Sequence, residues 1–229
     1  MKNEIAKEFQ TSILNWYADN GRPLPWRDTN EPFKILVAEF LLQKTDVEKV
    51  KPVYGEFMRR WTTPQVLSKA RISKISKIIQ PLGLRYKASR LKLTAKAIVE
   101  KFGGEIPEAE EQLLALPGVG RYIASAVECF VFNKPKAVLD TNVIRILNRV
   151  FGIQSDKNRP RDDLHLWNFA QTLVNSNNTK EYNWGLLDFG ALICKSKEPL
   201  CAECVLNNIC IFYNQINCDI GKLYERHKS

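Results

Sequence analysis

The chain has 229 residues, of which 45% are hydrophobic and 26% charged, enough to bury a real core in one or two small domains. It opens MKNEIAKEFQ with charges throughout, and no apolar run approaches the roughly 18–20 residues that span a bilayer, so a soluble, cytoplasmic protein with no membrane partner is expected. The formal net charge of +9 suits a polyanionic partner, because each phosphate neutralised by Lys or Arg releases condensed counterions, although the same excess would serve as a solubilising surface.

In chain order, Ile5, Phe9, Ile13 and Trp16 recur at three- to four-residue spacing and predict a first helix. The stretch Gly21 to Pro32 (GRPLPWRDTNEP) holds three prolines that forbid a continuous helix, and it reads as the passage from one domain into a second. Residues 33–44 predict a helix that places Glu39 among Val37, Phe40 and Leu41. Val47, Val50, Tyr54, Phe57 and Trp61 mark another helix, and Thr63-Pro64 reads as a cap followed by proline at the first helical position. The segment 90–102 predicts a helix that stops at Gly103-Gly104. Alternating runs long enough for strands are missing, so the fold class is all-α with short loops.

Residues 113–130 read LLALPGVGRYIASAVECF. An apolar helix runs into Pro117, which cannot continue its hydrogen bonding, and a second helix starts at Arg121. Gly118 and Gly120 permit backbone angles and a close approach denied to other residues. The second helix offers free N–H groups and a positive dipole end to a phosphate, with Arg121 adding a charge beside them. A lone Gly-x-Gly would read as an ordinary corner between helices; the full LPGVG followed by small residues is a more specific phosphate grip, formed by Gly118, Val119, Gly120 and Arg121.

Twenty residues after Gly120, LDTNVIRIL puts Asp140 at the start of a further helix, where an N-cap carboxylate would accept backbone N–H bonds and stay ionised. Near the C-terminus Cys194, Cys201, Cys204 and Cys210 follow the spacing C-x6-C-x2-C-x5-C. Four thiols in so short a segment of an intracellular chain point to a metal centre and not to disulfides; the count alone admits zinc as well as an iron–sulfur cluster. Cys129 reads as a small buried hydrophobe, and Cys218 has no assigned role.

Taken in order, PWR at 25–27, AEFLLQKT at 38–45, LPGVGRYIASAV, VLDTNVIRIL and the cysteine spacing resemble the helix-hairpin-helix DNA glycosylases, which include endonuclease III and the adenine glycosylases. The resemblance implies two helical domains, one spanning about 24–134 with six helices and the hairpin at about 111–132, the other formed by 1–23 with 135–229. It implies a [4Fe-4S] cluster on the loop 194–210, held by Cys194, Cys201, Cys204 and Cys210, with Lys195 and Lys197 as phosphate contacts. The implied partner is double-stranded DNA bearing a mismatched or deaminated base, engaged by a monomer.

Breaking an N-glycosidic bond builds positive charge on the sugar and negative charge on the departing base, so a carboxylate and a proton donor are both useful. By resemblance Asp140 is that carboxylate, Glu39 the donor toward the base, and Gln43 the wedge that replaces the flipped nucleotide; Gln43 and Lys44 are the candidates for reading the opposite guanine. In bifunctional relatives a lysine two residues past the second hairpin glycine attacks the sugar. Here that position is Tyr122, and a phenol cannot form an imine, so base removal without strand cleavage is expected. Lys87 or Lys44 would replace it only if the fold brought one to the sugar. Adenine glycosylases usually carry a small residue at the Tyr122 position and a tyrosine where this chain has Leu84, and with the sequence reaching Ser229 their C-terminal domain is not expected here. The pattern is most similar to the thymine-DNA mismatch glycosylases; an adenine glycosylase and a non-catalytic DNA-binding module are the alternatives.

Overall fold

The computed structural model describes residues 2–83 and 86–215. Leu84 and Cys218, singled out above, lie outside the described residues. Among those described there is no β-strand, and no helix is long and apolar enough to cross a membrane.

The chain divides into two compact units, Met1–Arg22 with Pro135–Ser229, and Pro23–Lys134. The continuous unit carries α2 (Pro32–Leu42), α3 (Val47–Arg60), α4 (Pro64–Ser68), α5 (Ile72–Ile79), α6 (Tyr86–Phe102), α7 (Glu110–Leu114) and α8 (Arg121–Phe130). Its central element is α2, in which Phe33, Ile35 through Val37, Ala38, Phe40 and Leu41 are all buried. A helix apolar on every side belongs inside, and α3, α6 and α8 pack around it. Thr63 caps α4 as its sequence suggests, accepting from the Val66 N–H, with Pro64 opening the helix.

The discontinuous unit carries α1 (Lys2–Asn20), α9 (Thr141–Phe151), α10 (Leu164–Thr172) and α11 (Thr179–Leu192), followed by two short 3-10 turns at Cys201–Glu203 and Asn207–Ile209. Phe9, Ile13 and Trp16 of α1 enter its core with Ile146, Leu147, Tyr182 and Phe189. The end of α1 is tied to α11 by Arg22, whose backbone N–H and guanidinium donate to the fully buried Asp188 carboxylate, the guanidinium as close as 2.6 Å. Helices α9 and α11 approach so closely that a Cβ on Gly190 would lie 2.6 Å from Asn142 Cβ; only glycine fits there.

Candidate active site and cysteine pocket

The hairpin is built as its sequence predicts, with α7 ending at Leu114, a turn through Pro117-Gly118-Val119-Gly120, and α8 beginning at Arg121. Thr94 on α6 donates its hydroxyl to the Pro117 carbonyl, and the Val119 N–H donates to the Leu116 carbonyl at 3.1 Å, so the turn is held from both sides. Gly118 is left-handed at φ +81°, and a side chain there would press on Phe40 and Arg90. Gly120 differs from expectation: its backbone is extended, a conformation open to any residue, and a Cβ would meet nothing within 4 Å. Its missing side chain opens space outside the fold and relieves no internal strain. Val119 also departs from the reading as a contact side chain, because it is buried in the core of its unit; only its backbone is available to a ligand.

Gly120 gives the start of α8 no side-chain cap, at the end of a helix where the dipole favours an anion. Arg121 is exposed there, and Tyr122, one residue on, is half-buried against the core.

Helix α2 packs against α8 and brings Glu39 into the same unit as Tyr122. Glu39 is 3% exposed, a carboxyl among the apolar residues Val37, Ala38, Phe40 and Leu41 of α2. A buried acid of this kind is expensive to keep and is a functional candidate for that reason. The predicted helix over 33–44 ends early, at Leu42. Gln43 and Lys44 form a turn, with Lys44 exposed at φ +54°, a left-handed conformation that costs a non-glycine residue about 1–2 kcal/mol. Lys87, weighed from the sequence only as a substitute amine, lies fully buried on α6, its Nζ donating to the Leu41 carbonyl at 2.7 Å and to Thr45 Oγ1 at 2.8 Å. Burial lowers its pKa to about 8.

In the discontinuous unit Asp140 caps α9. Its Oδ1 accepts from the Asn142 and Val143 N–H groups at 2.8 Å each, and its Oδ2 accepts from the Asn142 amide at 2.8 Å. The expected hydrogen bonds are therefore present, but they do not set the charge balance alone. Burial lifts the carboxyl above the usual carboxylate range, against those three bonds and the Arg145 guanidinium, which all pull it down. Arg145 continues the chain of contacts: it donates to Asn142 Oδ1 at 2.9 Å, to the Gly190 carbonyl at 2.6 Å and to the Cys194 carbonyl at 2.8 Å.

One turn further along α9, Arg149 braces the cysteine loop, donating to the Lys195 carbonyl at 2.6 Å, the Ser196 carbonyl at 3.2 Å and Cys194 Sγ at 3.4 Å. Neither arginine was singled out from the sequence; their i, i+4 spacing on the helix that follows Asp140 was the available signal. Lys195 and Lys197 are exposed on the loop that Arg149 holds. The four cysteines Cys194, Cys201, Cys204 and Cys210 line one pocket together with Phe189, Pro199, Leu200 and Leu206. Burial, with smaller contributions from the neighbouring Cys210, Cys194 and Cys201, pushes the Cys204 thiol up to about 11. Among the described residues no group of three or more His, Cys, Asp or Glu side chains stands as a ready single-ion site. Cys129 is fully buried, as its sequence context suggested.

The chain thus carries a glycine-containing hairpin and a buried glutamate in one unit and a part-buried helix-capping aspartate in the other. Residues 37–171 match the family model described as HhH-GPD superfamily base excision DNA repair protein. Among curated proteins the chain is 44% identical over 213 residues to a thymine/uracil-DNA glycosylase of Pyrobaculum aerophilum, covering 91% of this chain and 93% of that one. It is 33% identical over 217 residues to an adenine DNA glycosylase of Mus musculus, covering 91% of this chain but 42% of the mouse protein. A solved structure of a thermostable thymine-DNA glycosylase superimposes with a TM-score of 0.88 at 35% identity, covering 93% of this chain and 99% of the other. The chain belongs to the HhH-GPD superfamily of base excision DNA repair proteins.

Proposed function

We propose that this protein is a monofunctional DNA glycosylase that hydrolyses the N-glycosidic bond of thymine or uracil mispaired with guanine. The observation that carries the chemistry is Asp140, a part-buried carboxylate fixed through both oxygens at the head of α9. A carboxylate so held stabilises the positive charge that builds on the sugar as the base departs, and it orients the water that replaces the base. The hairpin grips the phosphate backbone with the uncapped N–H groups of α8 and with Arg121. Gln43, on the turn after α2, takes the space vacated by the flipped nucleotide, and Lys44 beside it faces the opposite strand. Glu39 hydrogen-bonds or protonates the leaving base. Tyr122 stands where a lyase would need an amine, so the reaction ends at an abasic site with the strand intact. The pyrimidine preference is supported by the likeness to thymine/uracil-DNA glycosylases over more than nine-tenths of both chains.

The cysteine pocket is assigned to a [4Fe-4S] cluster on the C-x6-C-x2-C-x5-C spacing that it shares with the glycosylases named above. The four cysteines line one mostly apolar pocket and could supply the four thiolates that such a cluster takes. Bound there, the cluster would order the loop that presents Lys195 and Lys197 to phosphates.

Glu39 favours one second reading, an adenine glycosylase, because a buried acid suits protonation of a departing purine. Duplexes carrying T:G, U:G, A:G and A:8-oxoguanine separate the two: release of thymine and uracil supports the pyrimidine reading, and release of adenine alone overturns it. A colourless protein with stoichiometric zinc would overturn the cluster assignment.

A further inference from the structure

A buried lysine is unusual enough to need a purpose. Lys87 is fully buried, and among the described residues no carboxylate pairs with its ammonium. A methionine would fill the same space without the desolvation penalty, so the position is kept for its N–H donors. Those donors reach across more than forty residues of sequence to one short segment. One bonds the Leu41 carbonyl, in the last turn of α2, where orphan carbonyls need partners. The other bonds Thr45 Oγ1, and that hydroxyl in turn donates to the Gln43 carbonyl at 3.1 Å. The Thr45 N–H closes the turn onto the Leu42 carbonyl at 3.1 Å. Between these fixed points lies Lys44 in its left-handed conformation, which a lysine does not adopt unless its surroundings impose it.

We propose that Lys87 is a positioning residue for nucleotide flipping: through Leu41 and Thr45 it clamps the Gln43–Lys44 turn in the shape that enters the duplex. This rests on the reading of Gln43 as the wedge. The clamp lowers the ordering cost at the moment of insertion, since a turn already held in its strained shape has nothing left to organise when the base swings out. The glycosidic bond is not touched by Lys87, so its effect falls on flipping and not on bond cleavage.

The test uses the full-length protein and duplexes with 2-aminopurine beside the mismatched base, whose fluorescence rises when the stack opens. Three variants are compared with wild type. Lys87→Met removes both donors, Thr45→Val cuts only the link to Gln43, and Lys87→Arg keeps donors at the site. The expected result is a fluorescence rise slowed about tenfold in Lys87→Met and Thr45→Val, with base release slowed in parallel, and recovery of most of the wild-type rate in Lys87→Arg. If Lys87→Met does not fold, Thr45→Val alone decides. A wild-type fluorescence rise in folded Thr45→Val, slowed base release with unchanged flipping, or no rise in wild type itself would each overturn the proposal. A wild type that opens the duplex but releases neither thymine nor uracil would instead sink the substrate assignment and leave the flipping comparison readable.

Discussion

Asn142 holds Asp140 through both carboxylate oxygens, with its backbone N–H on Oδ1 and its side-chain amide on Oδ2, each at 2.8 Å. The amide is also the middle of a chain, since its own oxygen accepts from Arg145 at 2.9 Å. Asn142→Ala keeps the backbone bond and removes the rest. Base release is expected to slow about tenfold, the loss of one hydrogen bond to a charged group. The acid limb of the pH–rate profile should also move upward, because a bond that favours the ionised form is gone. Single-turnover kinetics across pH check both effects.

Asp140 itself should cost the fold stability at neutral pH. Its carboxyl is raised above the usual range, so between the unfolded and folded pKa values the native state binds more protons than the unfolded one. Stability linked to this group is therefore full below the unfolded pKa and is lost as pH rises through the folded pKa. Asp140→Asn keeps a good N-cap and carries no charge. It should raise the melting temperature at pH 7.5, with the gain shrinking as pH falls toward the ordinary carboxylate range. A gain that grows on acidification would contradict the sign.

Arg149 fixes the cysteine loop by bonds to the Lys195 and Ser196 carbonyls and to Cys194 Sγ. Arg149→Ala should loosen the segment that carries Lys195 and Lys197. Limited proteolysis is expected to cut within 194–210 at least several-fold faster than in wild type, with DNA affinity falling about tenfold at fixed salt. Unchanged proteolysis would mean that the loop is held by other contacts.

Tyr122 predicts a negative result with a clear readout. Borohydride added during turnover traps an imine when an amine has attacked the sugar, and no covalent DNA adduct is expected here. Lys87, the lysine nearest to an alternative role, is committed to Leu41 and Thr45 inside the core.

The parts legible in the sequence are those whose signals are local. Thr63-Pro64, the turn at Pro117-Gly118 and the cap at Asp140 each follow from residues within one helical turn of the feature they create. The end of α2 was not legible, because Gln43 and Lys44 are good helix formers and give no stop signal. The Leu41 carbonyl in its last turn is taken by a donor on α6, 46 residues away in sequence. Arg145 and Arg149 were hidden for the same reason: their partners on the cysteine loop are 49 and 46 residues distant. Gly120 shows the converse, a glycine whose conformation any residue could adopt and whose use lies outside the fold.

The most direct test is single-turnover release of thymine from a T:G duplex by wild type and by Asp140→Asn, with the product strand analysed before and after alkali. Wild type should release free thymine and leave the strand uncut until alkali is added. Asp140→Asn should be slower by about a thousandfold or more while binding the duplex nearly as well. An Asp140→Asn protein as active as wild type, or a strand cut before alkali, would contradict the account.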